Sequence, residues 1–324
     1  MAKDLLLVTG ATGLVGSTLC VAARQAGYPV RGLVRSMEDT APLAQAGVEL
    51  VVGDVTDAAS MLRAARGVQA IVHTAAVIGG TWSKAKPEDF WSVNYQGVIN
   101  ALDAAKANGV RRCVLYSSMA LLDWSHTATN TSPVLPITAV DSNYTRAKRA
   151  AFYASMHRAA LDQDVVTVVP GGIYGPGALV ERALVPTSYT GTLLMALRGG
   201  LPRYVDMPAT WAFSDDVVAV GLAALEKGVN GGRYLAVGRG EDVCSLPDIC
   251  NRACEIAGVA HRVKSVDLKT GGDEIGPMRV YAERVYAKPY VDPSDTAAAL
   301  GISPTPMDAG LKKTVAWLRE AGKI

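Results

Sequence analysis

The sequence predicts an α/β fold built on a doubly wound parallel sheet, with a smaller C-terminal lobe. Three observations predict it. Short apolar runs alternate with helix-patterned segments from Leu5 to Val169, as parallel strands buried on both faces require. A glycine-rich turn, Val8-Thr9-Gly10-Ala11-Thr12-Gly13-Leu14-Val15-Gly16, joins the first apolar run to the first helical segment. After Val169 the regularity breaks at Pro170-Gly171-Gly172-Ile173-Tyr174-Gly175-Pro176-Gly177, and shorter elements with several prolines follow.

Taken in order, Leu5-Leu6-Leu7-Val8 reads as strand one, followed by a helix ending near Ala26. Val30 to Arg35 forms strand two, a helical stretch runs to Ala46, and Val48 to Gly53 forms strand three. A helix over Asp57 to Arg66 leads to strand four, Ala70-Ile71-Val72-His73, and a long helix from Pro87 to Asn108 leads to strand five, Arg112 to Tyr116. A loop rich in Ser, Thr and Pro spans Ser117 to Ser142, a helix runs to Leu161, and Asp164 to Val169 forms strand six. A helix from Asp215 to Lys227 and a strand from Arg233 to Val237 return to the main sheet. The expected division is residues 1–172 with 211–239 as one unit, and 173–210 with 240–324 as a lobe. That lobe covers the carboxyl edge of the strands, where the ligand of such a sheet lies.

Composition narrows the class. A chain of 324 residues with 49% hydrophobic and 19% charged content buries a large core. A net charge of +2, without a long run of one sign, gives no electrostatic footprint for nucleic acid or an anionic membrane. The five cysteines include no C-x-x-C pair, which points away from a disulfide framework and toward a reducing compartment. Cys250 and Cys254, with His261 beyond, read as buried thiols on one helix face, so no metal site is expected. The N-terminus enters the first strand directly, and no apolar run reaches the ~18 residues of a membrane helix. The expected location is the cytoplasm.

Gly10, Gly13 and Gly16 permit a tight turn, close approach of backbone to a phosphate, and close packing of helix on strand. The helix start also offers unpaired N–H groups to an anion, so the turn suits a dinucleotide's pyrophosphate. Tyr144-Thr145-Arg146-Ala147-Lys148 is the chain's single Tyr-x-x-x-Lys, and it puts a phenol and an ammonium on one helix face. The helix it opens lies between strands five and six, with its start toward the ligand edge. A free phenol ionises near pH ~10, too high for a base at neutral pH, and a neighbouring ammonium stabilises the phenolate.

The G-x-x-G-x-x-G spacing and the Tyr144/Lys148 pair together resemble the extended short-chain dehydrogenase/reductase family, with its dihydroflavonol reductases and 3β-hydroxysteroid dehydrogenases. The resemblance covers about residues 4 to 240 and implies a Rossmann dinucleotide fold. It implies that Gly10, Thr12, Gly13, Leu14, Val15 and Gly16 line the cofactor phosphates, and that Asp54 and Val55 meet the adenine. Thr74, Ala75 and Ala76 then run past the ribose and nicotinamide, and Pro170, Gly171 and Ile173 border the nicotinamide. Tyr144 exchanges a proton with the substrate oxygen, while Lys148 tunes the tyrosine and bonds the nicotinamide ribose. Ser118, in preference to Ser117, hydrogen-bonds the reacting oxygen. Asn94 in Val93-Asn94-Tyr95-Gln96-Gly97 either anchors a water chain to the lysine or is structural, and His73 reads as a packed strand histidine. A homodimer through the two long helices is the implied assembly.

At the end of strand two, NAD enzymes place an acid that accepts from the ribose 2′-hydroxyl, whereas a 2′-phosphate needs a cation. Aligned to the family, this position holds Val34 followed by Arg35, and the expected cofactor is NADP(H). The leading expectation is a ketone or aldehyde reductase, or the reverse alcohol dehydrogenase, on a small apolar molecule. Ile78, Met119 and Tyr174 are expected in the pocket wall, with Trp82 and Trp124 nearby. A sugar-nucleotide epimerase or dehydratase is the alternative. Such enzymes usually carry the acidic NAD residue, and often an Arg-Asp pair where this chain has Ala209-Thr210; Arg182, Arg198 and Arg203 offer a substitute grip. A non-catalytic cofactor sensor typically loses the tyrosine or the lysine, and this chain keeps both.

Overall fold

The computed structural model describes residues 3–79, 82–123, 126–139, 142–267, 270 and 291–324. Its first half alternates as the apolar pattern requires: β1 (Leu6–Thr9), α1 (Leu14–Gln25), β2 (Val30–Val34), α2 (Ala41–Gln45), β3 (Glu49–Val52), α3 (Ala58–Ala64) and β4 (Ala70–His73). After a loop come α4 (Pro87–Asp89), a π-helical stretch at Phe90–Gln96 and α5 (Gly97–Ala107), then β5 (Arg112–Tyr116), α6 (Asn143–Leu161) and β6 (Val165–Pro170). Short elements follow: β7 (Gly172–Tyr174), α7 (Val180–Ala183), α8 (Tyr189–Leu197), β8 (Arg203–Val205), β9 (Pro208–Ala209) and β10 (Trp211–Phe213). Then α9 (Ser214–Lys227) and β11 (Arg233–Ala236) return to the sheet. The remainder holds β12 (Cys244–Ser245), α10 (Leu246–Ala257), β13 (Lys264–Val266), α11 (Ser294–Leu300) and α12 (Met307–Glu320).

Seven strands form one parallel sheet in the order β11-β6-β5-β4-β1-β2-β3. The chain reverses direction across the sheet between β1 and β4, which opens a crevice at their carboxyl ends. Alternation along each strand sorts the apolar side chains to two faces. Leu6, Val8, Val72, Val114 and Val168 pack under α1 and α9, while Leu7, Ile71, Leu115 and Val165 pack under α3, α5 and Ala151 of α6. Each fully buried Leu, Ile or Val contributes roughly 1.5–3 kcal/mol, so these two layers hold the strand ends in place.

Two local features depart from a plain reading of the pattern. The helix expected from Pro87 to Asn108 contains the π-helical stretch, and both Phe90 and Asn94 within it are buried. A Cβ at Gly97, where the α-helix resumes, would lie 3.0 Å from Val55 Cγ2, so the helix passes close to the loop after β3. The Ser/Thr/Pro-rich loop shields the edge strand β11: Leu235 N donates to Asn130 Oδ1 at 2.9 Å, and Arg233 Nε donates to the Asn130 carbonyl at 2.7 Å.

Beyond the sheet, α8, α10 and α12 pack around Leu193, Leu197, Ile249, Leu311 and Leu318. The chain does not stay there to its end, since α11 packs on α9 and β11 and Leu300 joins the main core.

Candidate active site

The turn between β1 and α1 is shaped by close contacts. Gly10 has φ +67°, and a Cβ on it would lie 2.7 Å from the Ala75 backbone; one on Gly16 would lie 2.1 Å from the Gly10 carbonyl oxygen. Neither position admits a side chain. Thr74 binds the loop after β4 to the turn, its Oγ1 donating to the Thr9 carbonyl at 2.7 Å. Gly13 caps α1 without a side-chain acceptor for the first-turn N–H groups, and it is exposed. Leu14 and Val15 begin the helix half-buried beside half-buried Thr12. This cradle fits a pyrophosphate. The breaker-rich segment closes over it from the lobe: a Cβ at Gly177 would meet Leu14 Cδ1 at 2.9 Å, and Ala178 N donates to Thr18 Oγ1 at 3.4 Å.

Toward the sheet edge, Arg35 follows buried Val34 and is exposed, and it makes no hydrogen bond or ion pair among the described residues. In the same loop Asp39, at φ 58°, pairs with Arg182 of α7 at 3.5 Å. Asp54 Oδ1 accepts from the backbone N–H and the hydroxyl of Thr56, both at 2.9 Å, which fixes the turn after β3. Val55 is buried, and its carbonyl accepts from Asn100 Nδ2 at 2.8 Å.

The chemistry-bearing side chains converge at the ends of β4 and β5. Ser142 caps α6 by accepting from Thr145 N at 3.2 Å, and Tyr144 and Lys148 follow within the first turns. Lys148 is 4% exposed, and its Nζ donates to the Tyr116 carbonyl at 3.1 Å, just before Ser117 and Ser118. Burial lowers its pKa from 10.5 to about 8. Ser118 is half-buried, and its Oγ accepts from Ala120 N at 3.2 Å, capping the turn at Met119–Leu121. Tyr144 meets Phe90 edge-on at 6.1 Å between ring centroids, and a Cβ at Gly79 would lie 3.2 Å from Tyr144 Cβ.

Asn94 explains how that loop is held. Its Oδ1 accepts from Val77 N at 2.8 Å and its Nδ2 donates to the Val77 carbonyl at 2.9 Å. The pair leads from the π-helical stretch through Val77 to Gly79 and so to Tyr144. Gly79 and Phe90 fall in the segment Ile78 to Trp91 expected from the sequence to wall the pocket, while nothing in the local pattern singles out Val77. On the lobe side, Gly171 packs against Thr210, whose carbonyl oxygen a Cβ would meet at 2.6 Å. Pro170 is buried in register with Ala236, Ile173 packs partly against the main core, and Ala75 and Ala76 are half-buried.

Two residues expected in the pocket wall are buried. Tyr174 is 2% exposed and sits in the lobe core, its hydroxyl donating to the Met307 carbonyl at 3.4 Å and its ring 5.8 Å from Phe213. Pairing of β7 with β10 turns it inward toward α12. Met119 is also buried, packed with Leu122, Val169 and Leu235. Ile78 remains open to solvent, Trp82 stacks on Tyr204 at 5.7 Å, and Trp124 lies outside the described residues.

A model of the NAD dependent epimerase/dehydratase family matches residues 6–238. Sterol demethylase protein B of Methylococcus capsulatus is 30% identical over 339 residues, covering 98% of this chain and 99% of that protein. Cinnamoyl-CoA reductase 1 of Oryza sativa subsp. japonica is 27% identical over 345 residues, covering 99% and 92% respectively. The crystal structure of gox2253 superposes with a TM-score of 0.84 at 26% identity, covering 99% of this chain and 100% of that one.

Proposed function

Because the chain belongs to the NAD dependent epimerase/dehydratase family, we propose that it is an NADP(H)-dependent reductase of ketones or aldehydes, or the reverse alcohol dehydrogenase. Its substrate is an apolar molecule, aromatic or polycyclic, held between the sheet edge and the lobe built on α8, α10 and α12. The observation that carries this reading is the buried ammonium of Lys148, one helical turn after Tyr144 and tied to the strand end that presents Ser118.

NADPH, when bound, would supply the hydride that reduces the carbonyl carbon. Tyr144 gives its phenolic proton to the substrate oxygen, and Ser118 donates a hydrogen bond to the same oxygen. Lys148 favours the phenolate by its charge and holds a ribose hydroxyl. Asn94 acts through Val77, fixing the loop against which Tyr144 rests. Arg35, exposed after Val34, would hold the 2′-phosphate, which no acid there would repel.

The sugar-nucleotide alternative needs a cationic grip on a diphosphate. Arg198 instead donates twice to the Lys323 carbonyl, at 3.0 and 2.8 Å, and Arg182 is paired with Asp39. The test is NADPH consumption with aryl aldehydes, aryl ketones, flavonoid-like ketones and 3-ketosteroids, with NADH in parallel. Turnover of any of these with NADPH preferred supports the reading. Cofactor binding without turnover, together with conversion of a nucleotide sugar, contradicts it.

A further inference from the structure

Beneath Lys148 the sheet holds buried polar side chains that the proposed chemistry does not use. Strand register sets Thr9 beside His73, His73 beside Leu115, and Leu115 beside Thr167. Ser117 lies two residues beyond Leu115 and so on the same face, the one packed under α5 and α6. His73 is 1% exposed and Thr167 2%. His73 Nδ1 and Thr9 Oγ1 share a hydrogen bond of 2.9 Å. His73 Nε2, Ser117 Oγ and Thr167 Oγ1 are buried with no hydrogen-bond partner among the described residues.

Buried polar atoms are rarely left unmet, and a group of them in a packed interior marks a place for ordered water. Lys148 supplies the rest of the site. Its ammonium has three N–H donors, one of which goes to the Tyr116 carbonyl. A second goes to the ribose, a step that rests on the function proposed above. The carboxamide of Asn94 is held on Val77 by one accepted and one donated hydrogen bond, and it makes no hydrogen bond to Lys148.

We propose that an ordered water bridges the remaining Lys148 N–H to His73 Nε2, with Ser117 Oγ as its further partner, and that His73 is thereby a positioning residue for Lys148. The role requires a neutral imidazole with its proton on Nδ1, donating to Thr9 Oγ1, so that the Nε2 lone pair faces the water. Burial, aided by the Lys148 charge, lowers the His73 pKa to about 3 and keeps the ring neutral. Two further ionisable groups lie on the same helix, Tyr144 one turn back and Arg149, whose Nη2 reaches the Ala120 carbonyl at 3.4 Å, and Tyr116 lies on β5, its carbonyl bound to Lys148.

Two substitutions separate the two sides of the ring. Glutamine places its amide near the Nε2 position, and asparagine places its amide near Nδ1. In alcohol oxidation, His73→Asn should move the ionisation in kcat/KM up by about one pH unit, lowering the rate about tenfold below it. Affinity for NADPH should stay the same, and His73→Gln should restore the wild-type profile. A profile for His73→Asn equal to wild type, or His73→Gln no better than His73→Asn, overturns the inference. A high-resolution crystal structure provides the readout that needs no activity: a water about 2.7–3.2 Å from both His73 Nε2 and Lys148 Nζ is expected. Direct contact without water there overturns the inference, whereas an inactive wild type with that water present counts against the reductase reading alone.

Discussion

Lys148 Nζ donates to the main-chain carbonyl of Tyr116 at 3.1 Å from a position only 4% exposed. A neutral carbonyl is a weak counterpart for a buried cation, and the cost appears as the lowering of its pKa from 10.5 to about 8. Between those values the unfolded chain holds a proton that the folded chain has lost, so stability rises with pH across that window. Below pH 8 the charged lysine destabilises the fold by about 3 kcal/mol. Lys148→Met removes this burden but strands the Tyr116 carbonyl, at about 1–3 kcal/mol. The variant should melt no lower than wild type at pH 7, and its relative stability should decline from pH 8 to 10.5. Melting curves across that range, with turnover lost throughout, check the claim; a difference independent of pH would contradict it.

Tyr144→Phe keeps the ring against Gly79 and Phe90 and removes only the hydroxyl. Turnover should fall by about 10²–10⁴ with NADPH affinity unchanged. Steady-state rates and a cofactor titration decide this, and retained turnover removes Tyr144 from the proton-transfer role.

Arg35→Asp reverses the charge beside the expected 2′-phosphate. The Kd for NADPH should rise by about two orders of magnitude, while that for NADH stays within about threefold. Equal changes for both cofactors would show that Arg35 reads something they share.

Gly16→Ala tests the fit of the turn. A methyl 2.1 Å from the Gly10 carbonyl oxygen and 2.7 Å from Thr74 Oγ1 forces the turn apart. A loss of about 1–3 kcal/mol in denaturant unfolding is expected, together with weakened binding of both cofactors. Normal binding would mean that the turn does not hold the dinucleotide.

Much of this was legible in the amino-acid order because it depends on local pattern. The apolar runs from Leu6 to Val169 alternate with helices as a parallel sheet requires, and the turn marked by glycines at 10, 13 and 16 excludes side chains at Gly10 and Gly16. Tyr144 and Lys148 share a face because helices repeat that way. What escaped was set by distant partners. The π-helical stretch at Phe90–Gln96 packs against α6, a contact that no local period encodes. The packing of Tyr174 with Phe213 and Met307, and of Met119 with Val169 and Leu235, is likewise set by partners far along the chain. The role of Asn94 also depends on a backbone seventeen residues away, at Val77.

The most direct measurement is the stoichiometry of cofactor to product in a reaction with an accepted carbonyl substrate. One NADPH consumed for each alcohol formed, and abolished in Tyr144→Phe, is the result expected of a reductase. Product formed with no net consumption of cofactor would contradict it, since an epimerase returns its hydride to the substrate.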